Sequence, residues 1–345
     1  MINIGIVDTI SLKKNKKIFG HWLNTALQYK NILSKDDSIN IFVLGGPVYK
    51  NYIYNNYVRL PFDLEKKMFD RTGIKILFNK LKAVINTIAA IKSNTDILIF
   101  QDANQTILYT LLRFFKVNKK IYLIKYSIDE RKQAVKSFNK IKNKISGVIT
   151  SLDEVGRYYK VPYLIVPDYF PSEEISMNEK IYDLIIVGTV TEQKDYENVI
   201  KAVNKTKLNL KIVGYFNDEQ RFNNLKNIAN HNIVIENKYI SDDEYKNIIK
   251  SGKYVILPYK KESYNYKSSG VVLDAIYNGV PVIVPGLNSF EFVKNNKVGL
   301  TYNNSFDEII EDISDINYDE LINNVKKYCK IMELKKEELR NFIYG

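Results

Sequence analysis

Residues 253–284 read KYVILPYKKESYNYKSSGVVLDAIYNGVPVIV. Two β-branched runs, 253–257 and 281–284, bracket a polar loop and a short helix that opens at Ser268-Ser269-Gly270 and stops at Gly279. Strands this uniformly apolar are what a parallel sheet covered on both faces requires, and the helix between them makes the crossover. The stretch therefore predicts a strand–loop–helix–strand unit of a doubly wound α/β domain, in which ligands bind at the carboxyl ends of the strands.

Working outward, the same pattern recurs at 182–187, 208–213 and 232–235, with amphipathic helical stretches at 196–205 and 242–251. A separate series of strand-like runs fills the first half, at 2–7, 39–44, 96–100, 120–125, 147–150 and 163–166. Two successive Rossmann-like α/β domains are the economical interpretation, and 345 residues suffice for two cores. The segment 166–174, with Pro167 and Pro171, reads as the linker, giving domains at 1–167 and 168–317. Residues 318–345 are rich in charge and helix formers, and are expected to form terminal helices packing back toward the first domain.

Composition narrows the chemistry. With 45% hydrophobic and 26% charged residues the chain is neither collagen-like nor wholly disordered. The single Cys329 cannot close an intramolecular disulfide, and His21 and His231 cannot build a Cys/His zinc cage, so neither a metal nor a secreted framework is expected. The start, residues 1–8, reads as a buried strand rather than a signal peptide, and no run of about 18 apolar residues occurs. The expectation is a cytoplasmic protein whose membrane contact, if any, is peripheral.

Charge is unevenly divided: residues 1–170 carry 28 Lys and Arg against 13 Asp and Glu, the remainder 23 against 26. Such asymmetry points the first half toward something anionic, whether nucleic acid, phosphorylated substrate or lipid. Residues 70–85 interleave cations with large apolar groups at helical spacing, and 111–116 and 131–144 add to the basic patch. Each of these helices is equally explained by an apolar side facing its own sheet, with solvated lysines opposite. With no recognition motif and the excess confined to one α/β domain, nucleic acid is not the expected partner.

In residues 185–194 a buried strand ends at Gly188 and a polar turn leads to Lys194. Glycine permits close backbone approach and the lysine could reach a phosphate; on residue grounds alone, Gly188 is as well a plain turn and Lys194 a solvated cation. At Ser268-Ser269-Gly270-Val271 the unpaired N–H groups of a helix start offer an anion site, with Ser268 suited to the cap. Asp274, one turn in, could accept hydrogen bonds from vicinal hydroxyls or simply complement the helix dipole.

The order of these motifs resembles the donor-binding half of GT-B glycosyltransferases of the family 4 type. Strand-Gly-x5-Lys is followed by Pro258-Tyr259, by the 268–283 block, by Phe290-Glu291-Phe292-Val293 and by Gly299-Leu300. The resemblance covers residues 185–300. It implies two Rossmann-like domains facing a cleft, and transfer of a sugar from a nucleotide-diphosphate donor, usually with retention and without metal or covalent cofactor. It implies further that Lys194 contacts the donor diphosphate beside Gly188 and Thr189, that 268–271 cradle the phosphates, and that Asp274 binds the ribose. Val213-Gly214-Tyr215 and Lys238-Tyr239 would hold the base. On the same resemblance the first domain takes a glycan or lipid-linked acceptor for surface polysaccharide or glycolipid synthesis, its basic surface resting on the inner face of the cell membrane.

Two departures stand out. Thr189 occupies a position where the family commonly has arginine, and Tyr266 the position of the first acidic residue of its E-x7-E pair. They motivate an alternative, a catalytically silent glycosyltransferase-like partner subunit. Where relatives often place a histidine to contact the donor sugar, this chain has Lys125-Tyr126-Ser127. A retaining front-face route needs no protein base, whereas an inverting one does.

Overall fold

A computed structural model describes the chain apart from residues 15–16, 19–21, 35–37, 66–73, 129–131, 172–178, 217 and 266–268. It divides into two compact units, Met1–Phe170 with Lys335–Gly345, and Pro171–Leu334.

The first unit runs β1 (Ile2–Asp8), β2 (Leu12–Lys14), β3 (Lys17–Ile18), α1 (Trp22–Leu33), β4 (Ile39–Gly45), β5 (Tyr57–Arg59), β6 (Leu64–Glu65), α2 (Ile74–Ile91), β7 (Ile97–Asp102) and α3 (Gln105–Phe114). It continues through β8 (Lys120–Lys125), α4 (Lys132–Asn139), β9 (Gly147–Thr150), α5 (Asp153–Tyr159) and β10 (Tyr163–Ile165). Seven strands form one parallel sheet in the order β10-β9-β8-β7-β1-β4-β5, while β3-β2-β6 make a small second sheet. Because strand side chains alternate faces, Ile4, Ile6, Tyr122 and Ile124 join α1 in one core. Val7, Ile121 and Leu123 join α2 to α5 in the other.

The second unit contains β11 (Tyr182–Val187), α6 (Tyr196–Val203), β12 (Leu210–Gly214), α7 (Glu219–Ile228), β13 (Ile233–Asn237), α8 (Asp242–Lys250) and β14 (Gly252–Ile256). Next come α9 (Lys261–Tyr264), α10 (Gly270–Tyr277), β15 (Val282–Pro285), α11 (Glu291–Asn295), β16 (Gly299–Tyr302), α12 (Asp307–Ile310) and α13 (Tyr318–Tyr344). Its six-stranded parallel sheet has the order β13-β12-β11-β14-β15-β16, the Rossmann arrangement with its switch point between β11 and β14.

Residues 318–344 form one continuous helix, whose last residues belong to the first unit. There Leu339 and Ile343 enter the core with α1, and Arg340 Nη1 donates to the Ile32 carbonyl at 3.1 Å. Strands β5 and β16 were not anticipated. The first is a three-residue edge strand, too short for a periodic signal, and the second opens on Gly299, whose missing side chain lets it lie against the Val282 backbone.

Candidate donor-binding site

The carboxyl ends of β11 and β14 meet at the switch point, and the chain is stitched together there. Asp195 N–H donates to the Pro258 carbonyl at 2.7 Å, Lys260 N–H donates to Gln193 at 2.9 Å, and Lys194 and Tyr259 form an isolated antiparallel bridge. This brings Lys194 beside the loop that leads into α10.

Gly188 follows β11 directly with φ of 102°, a left-handed conformation open to glycine at little cost. Gly214, at the end of neighbouring β12, is required for a different reason: a Cβ there would lie 1.9 Å from the Gly188 carbonyl oxygen. Backbone cannot yield as a side-chain tip can, so Gly214→Ala is expected to cost about 3 kcal/mol. Thermal unfolding followed by far-ultraviolet circular dichroism should show a melting point lowered by several degrees.

Lys194 is buried, and its ammonium donates to the Thr189 carbonyl at 3.2 Å. It lies 5.9 Å from the centroid of the Tyr196 ring and 5.6 Å from that of Tyr259. Burial pushes its pKa down to about 8. Arg221, in the first turn of α7, donates from Nη2 to the Lys194 carbonyl at 3.3 Å and lies 5.8 Å from the Tyr196 centroid. Its buried Nε finds no partner among the described residues. Sequence reasoning missed Arg221, which carries no motif and comes to Lys194 only through the β12–α7 crossover.

Ser269 precedes the first residue of α10 but does not cap it. Its Oγ is instead 2.7 Å from the Tyr259 hydroxyl, and the Tyr259 ring stacks on Tyr264 with centroids 3.7 Å apart. Gly270 and Val271 form the helix start itself. Ser268, expected as the cap, lies outside the described residues, as does Tyr266.

Asp274 accepts the Tyr245 hydroxyl on Oδ2 at 2.8 Å, joining α10 to α8. Burial, and then the charge of Asp274, hold the Tyr245 hydroxyl well above its ordinary pKa. Lys238 pairs with Glu236 at 2.9 Å and with Glu244 at 2.7 Å, and its N–H donates to the Gly214 carbonyl at 3.0 Å. These hydrogen bonds to two carboxylates raise its pKa. Tyr239 is 88% exposed, with its ring available beside that ion-pair cluster.

The first unit has a built site at the corresponding edge of its own sheet. Asp8 is fully buried at the end of β1, where Oδ1 accepts the N–H groups of Ile10 at 3.0 Å and Ser11 at 2.7 Å. Oδ2 takes the Tyr49 hydroxyl at 2.6 Å, and burial pushes the carboxyl up to about 6. The Asp8-x-x-Ser11 spacing was the available signal. Lys125, at the end of β8, is buried between Tyr109 and Tyr159, and Trp22 packs on Tyr126. His21, Asp129 and Glu130 lie outside the described residues.

Known proteins supply the context. Residues 170–333 match the model of a family described as glycosyl transferases group 1. No curated protein sequence matches the chain. Among solved structures, a glycosyltransferase from Rickettsia africae superposes with a TM-score of 0.65 at 13% identity, covering 99% of this chain and 97% of that one. Sucrose-phosphate synthase from Thermosynechococcus elongatus gives 0.66 at 14% identity, with 100% and 99% covered. An E. coli trehalose-6-phosphate structure bound with UDP-2-fluoro glucose gives 0.65 at 8% identity, with 99% and 97% covered. At these identities the structural likeness is one of fold, and it agrees with two parallel-sheet domains; the match over 170–333 is a likeness of the second domain. The second domain thus resembles glycosyl transferases group 1 over residues 170–333, and the chain is a nucleotide-sugar-dependent glycosyltransferase of GT-B fold.

Proposed function

We propose that the second domain binds the donor diphosphate between Lys194 and the start of α10, and that the enzyme transfers the sugar with retention to a lipid-linked acceptor. The observation that carries the proposal is the juxtaposition of Lys194, Tyr259 and Ser269 at the sheet's switch point. Departure of a nucleoside diphosphate develops negative charge on a phosphate oxygen, and fixed donors already aimed there lower the barrier. Lys194, with the amides of 269–271, supplies those donors beside Gly188 and Thr189. Arg221 adds a second cation in a chain that has Thr189 at the turn. Asp274, oriented by Tyr245, takes the ribose hydroxyls, while Tyr239 and the Lys238 backbone border the base. The chemistry needs neither metal nor covalent cofactor.

In the transfer itself the bond from anomeric carbon to diphosphate oxygen breaks and the acceptor oxygen bonds to the same face of that carbon. The acceptor's proton passes to the departing phosphate oxygen. Incubation with donor and lipid-linked acceptor in anionic vesicles should release nucleoside diphosphate only when acceptor is present. The product's anomeric configuration, read by NMR, should match the donor's. An inverted product would overturn the retaining route, and absence of any acceptor-dependent release the acceptor class.

The acceptor reading rests on the first domain, which faces the cytoplasmic surface of the cell membrane in this proposal. No helix among the described residues is long and apolar enough to cross a membrane. On α2, however, Leu77, Phe78 and Leu81 are 68%, 57% and 52% exposed and share one face, with Lys80 and Lys82 beside them. An amphipathic helix of this kind lies in an anionic interface. Phe78→Glu with Leu81→Glu is expected to reduce co-sedimentation with phosphatidylglycerol vesicles at least tenfold, leaving nucleotide binding unchanged. Undiminished vesicle binding would rule out α2 as the contact.

A further inference from the structure

Ser269 stands in the position from which a serine ordinarily caps a helix, accepting an N–H of the first turn on its hydroxyl. Here it makes no such bond. Its Oγ lies 2.7 Å from the Tyr259 hydroxyl instead, so α10 forgoes the side-chain cap that its sequence offers. Open space lies in front of this helix start: among the described residues, a Cβ on Gly270 would meet nothing within 4 Å, and the same holds for Gly188.

The Tyr259 ring is firmly placed. It stacks on Tyr264, 3.7 Å away and 21° from parallel, and on Phe290 at 5.6 Å and 23°, with the Lys194 ammonium 5.6 Å from its centroid. Tyr264 is anchored in turn through its carbonyl, which accepts the Ser289 hydroxyl at 2.5 Å. The Tyr264 hydroxyl is hydrogen-bonded to that of Tyr259, and burial holds both phenols above their ordinary pKa, so both keep their protons at neutral pH. Three hydroxyls thus form one chain, from Tyr264 through Tyr259 to Ser269, ending at the start of α10.

A hydroxyl both donates and accepts, and its proton turns to suit its neighbours. If Ser269 donates to an anion at α10, it must accept from Tyr259, and Tyr259 must accept from Tyr264. The anion therefore aligns all three protons toward itself, and hydrogen bonds aligned in series strengthen one another.

We infer that Tyr259 is a positioning residue for sugar transfer: with Tyr264 behind it, it turns the Ser269 hydroxyl onto the departing diphosphate oxygen. No proton leaves the chain of hydroxyls. The bond from anomeric carbon to diphosphate oxygen breaks, the acceptor's proton passes to the phosphate, and the Ser269 hydrogen bond strengthens as charge builds. The inference rests on the proposal that the donor diphosphate lies at the start of α10.

The test uses the full chain and whichever nucleotide sugar stabilises it among UDP, GDP, CMP and dTDP sugars. Turnover is followed as transfer to acceptor and as slow hydrolysis of the donor by water, which breaks the same bond. Ser269→Ala should lower kcat about 100-fold, the cost of one lost donor. Tyr259→Phe, which keeps the ring stack and removes only the hydroxyl, should lower it about tenfold, and donor KM should change by less than about threefold in either. Tyr264→Phe should give a smaller loss in the same direction. In the Ser269→Ala background Tyr259→Phe should cost nothing further, because the hydroxyl it positions is gone. Ser269→Thr, which retains a hydroxyl, should keep most of the turnover and the full sensitivity to Tyr259→Phe.

A purely structural Tyr259 would slow every background alike. Losses that multiply in full in the double variant, or a Tyr259→Phe turnover equal to wild type, would overturn the inference and leave the donor site standing. If wild type neither binds nor hydrolyses any nucleotide sugar, the donor-site proposal falls and the inference falls with it.

Discussion

Lys194→Met is expected to lower kcat by about 100- to 1,000-fold, the usual cost of removing one fixed donor to a developing oxyanion. Donor affinity should fall by much less. The ammonium is already held by the Thr189 carbonyl and two aromatic faces, so it is placed before the donor arrives and gains most when charge builds on the leaving oxygen. Methionine fills the same volume without the charge, so the loss is not one of packing. The pH dependence supplies a second readout. With a free-enzyme pKa of about 8, Lys194 binds an anion in its protonated form, so donor affinity should hold below pH 7 and decline as pH rises through 8. The decline should be absent in Lys194→Met. Burial that lowers a lysine's pKa also means that folding disfavours its proton. The contribution of Lys194 to stability is therefore least favourable at low pH and improves between about pH 8 and the ordinary lysine value of 10.5. Wild type and Lys194→Met should thus differ in melting temperature most below pH 8, with methionine the more stable. A turnover unchanged by the substitution would remove Lys194 from the transition state.

Asp274→Ala should weaken nucleoside diphosphate binding by about 10- to 100-fold, the worth of hydrogen bonds to an ionised group, roughly 1.5–3 kcal/mol. The carboxylate is oriented by Tyr245 across the α8–α10 contact, so Tyr245→Phe should give a smaller loss in the same direction. The distinguishing measurement is calorimetry with a ribonucleotide and its 2′-deoxy analogue. Wild type should prefer the ribose form, and Asp274→Ala should bind both alike. If the variant keeps the preference, Asp274 orients α10 through Tyr245 and does not touch the sugar.

Much of this was legible in the sequence, and the gaps have physical reasons. The uniformly apolar runs ending at Val187 and Thr150 had to be covered on both faces, so the parallel sheets could be read directly. What a linear pattern cannot give is the company a side chain keeps. Lys194 was expected to point at a ligand; the rings of Tyr196 and Tyr259 that enclose it come from α6 and from the loop after β14. Lys238 looked like a cation available to a base, but Glu244 from α8 and Glu236 from its own strand both claim it. Ser269 carried no partner in the linear pattern, and only the fold brings the Tyr259 hydroxyl to it. In the first domain, Asp8 was a plain strand end by pattern, and only Tyr49, arriving from beyond β4, completes its site.

The most direct measurement is a thermal-shift and calorimetric screen of the purified protein against UDP, GDP, CMP and dTDP sugars, because a ligand bound only by the folded state raises its stability. Selective stabilisation by one nucleotide class, lost in Asp274→Ala, is the predicted result. A folded, monodisperse sample that responds to none of them would contradict donor binding at Lys194 and α10, and would point to a glycosyltransferase fold serving as a silent partner subunit.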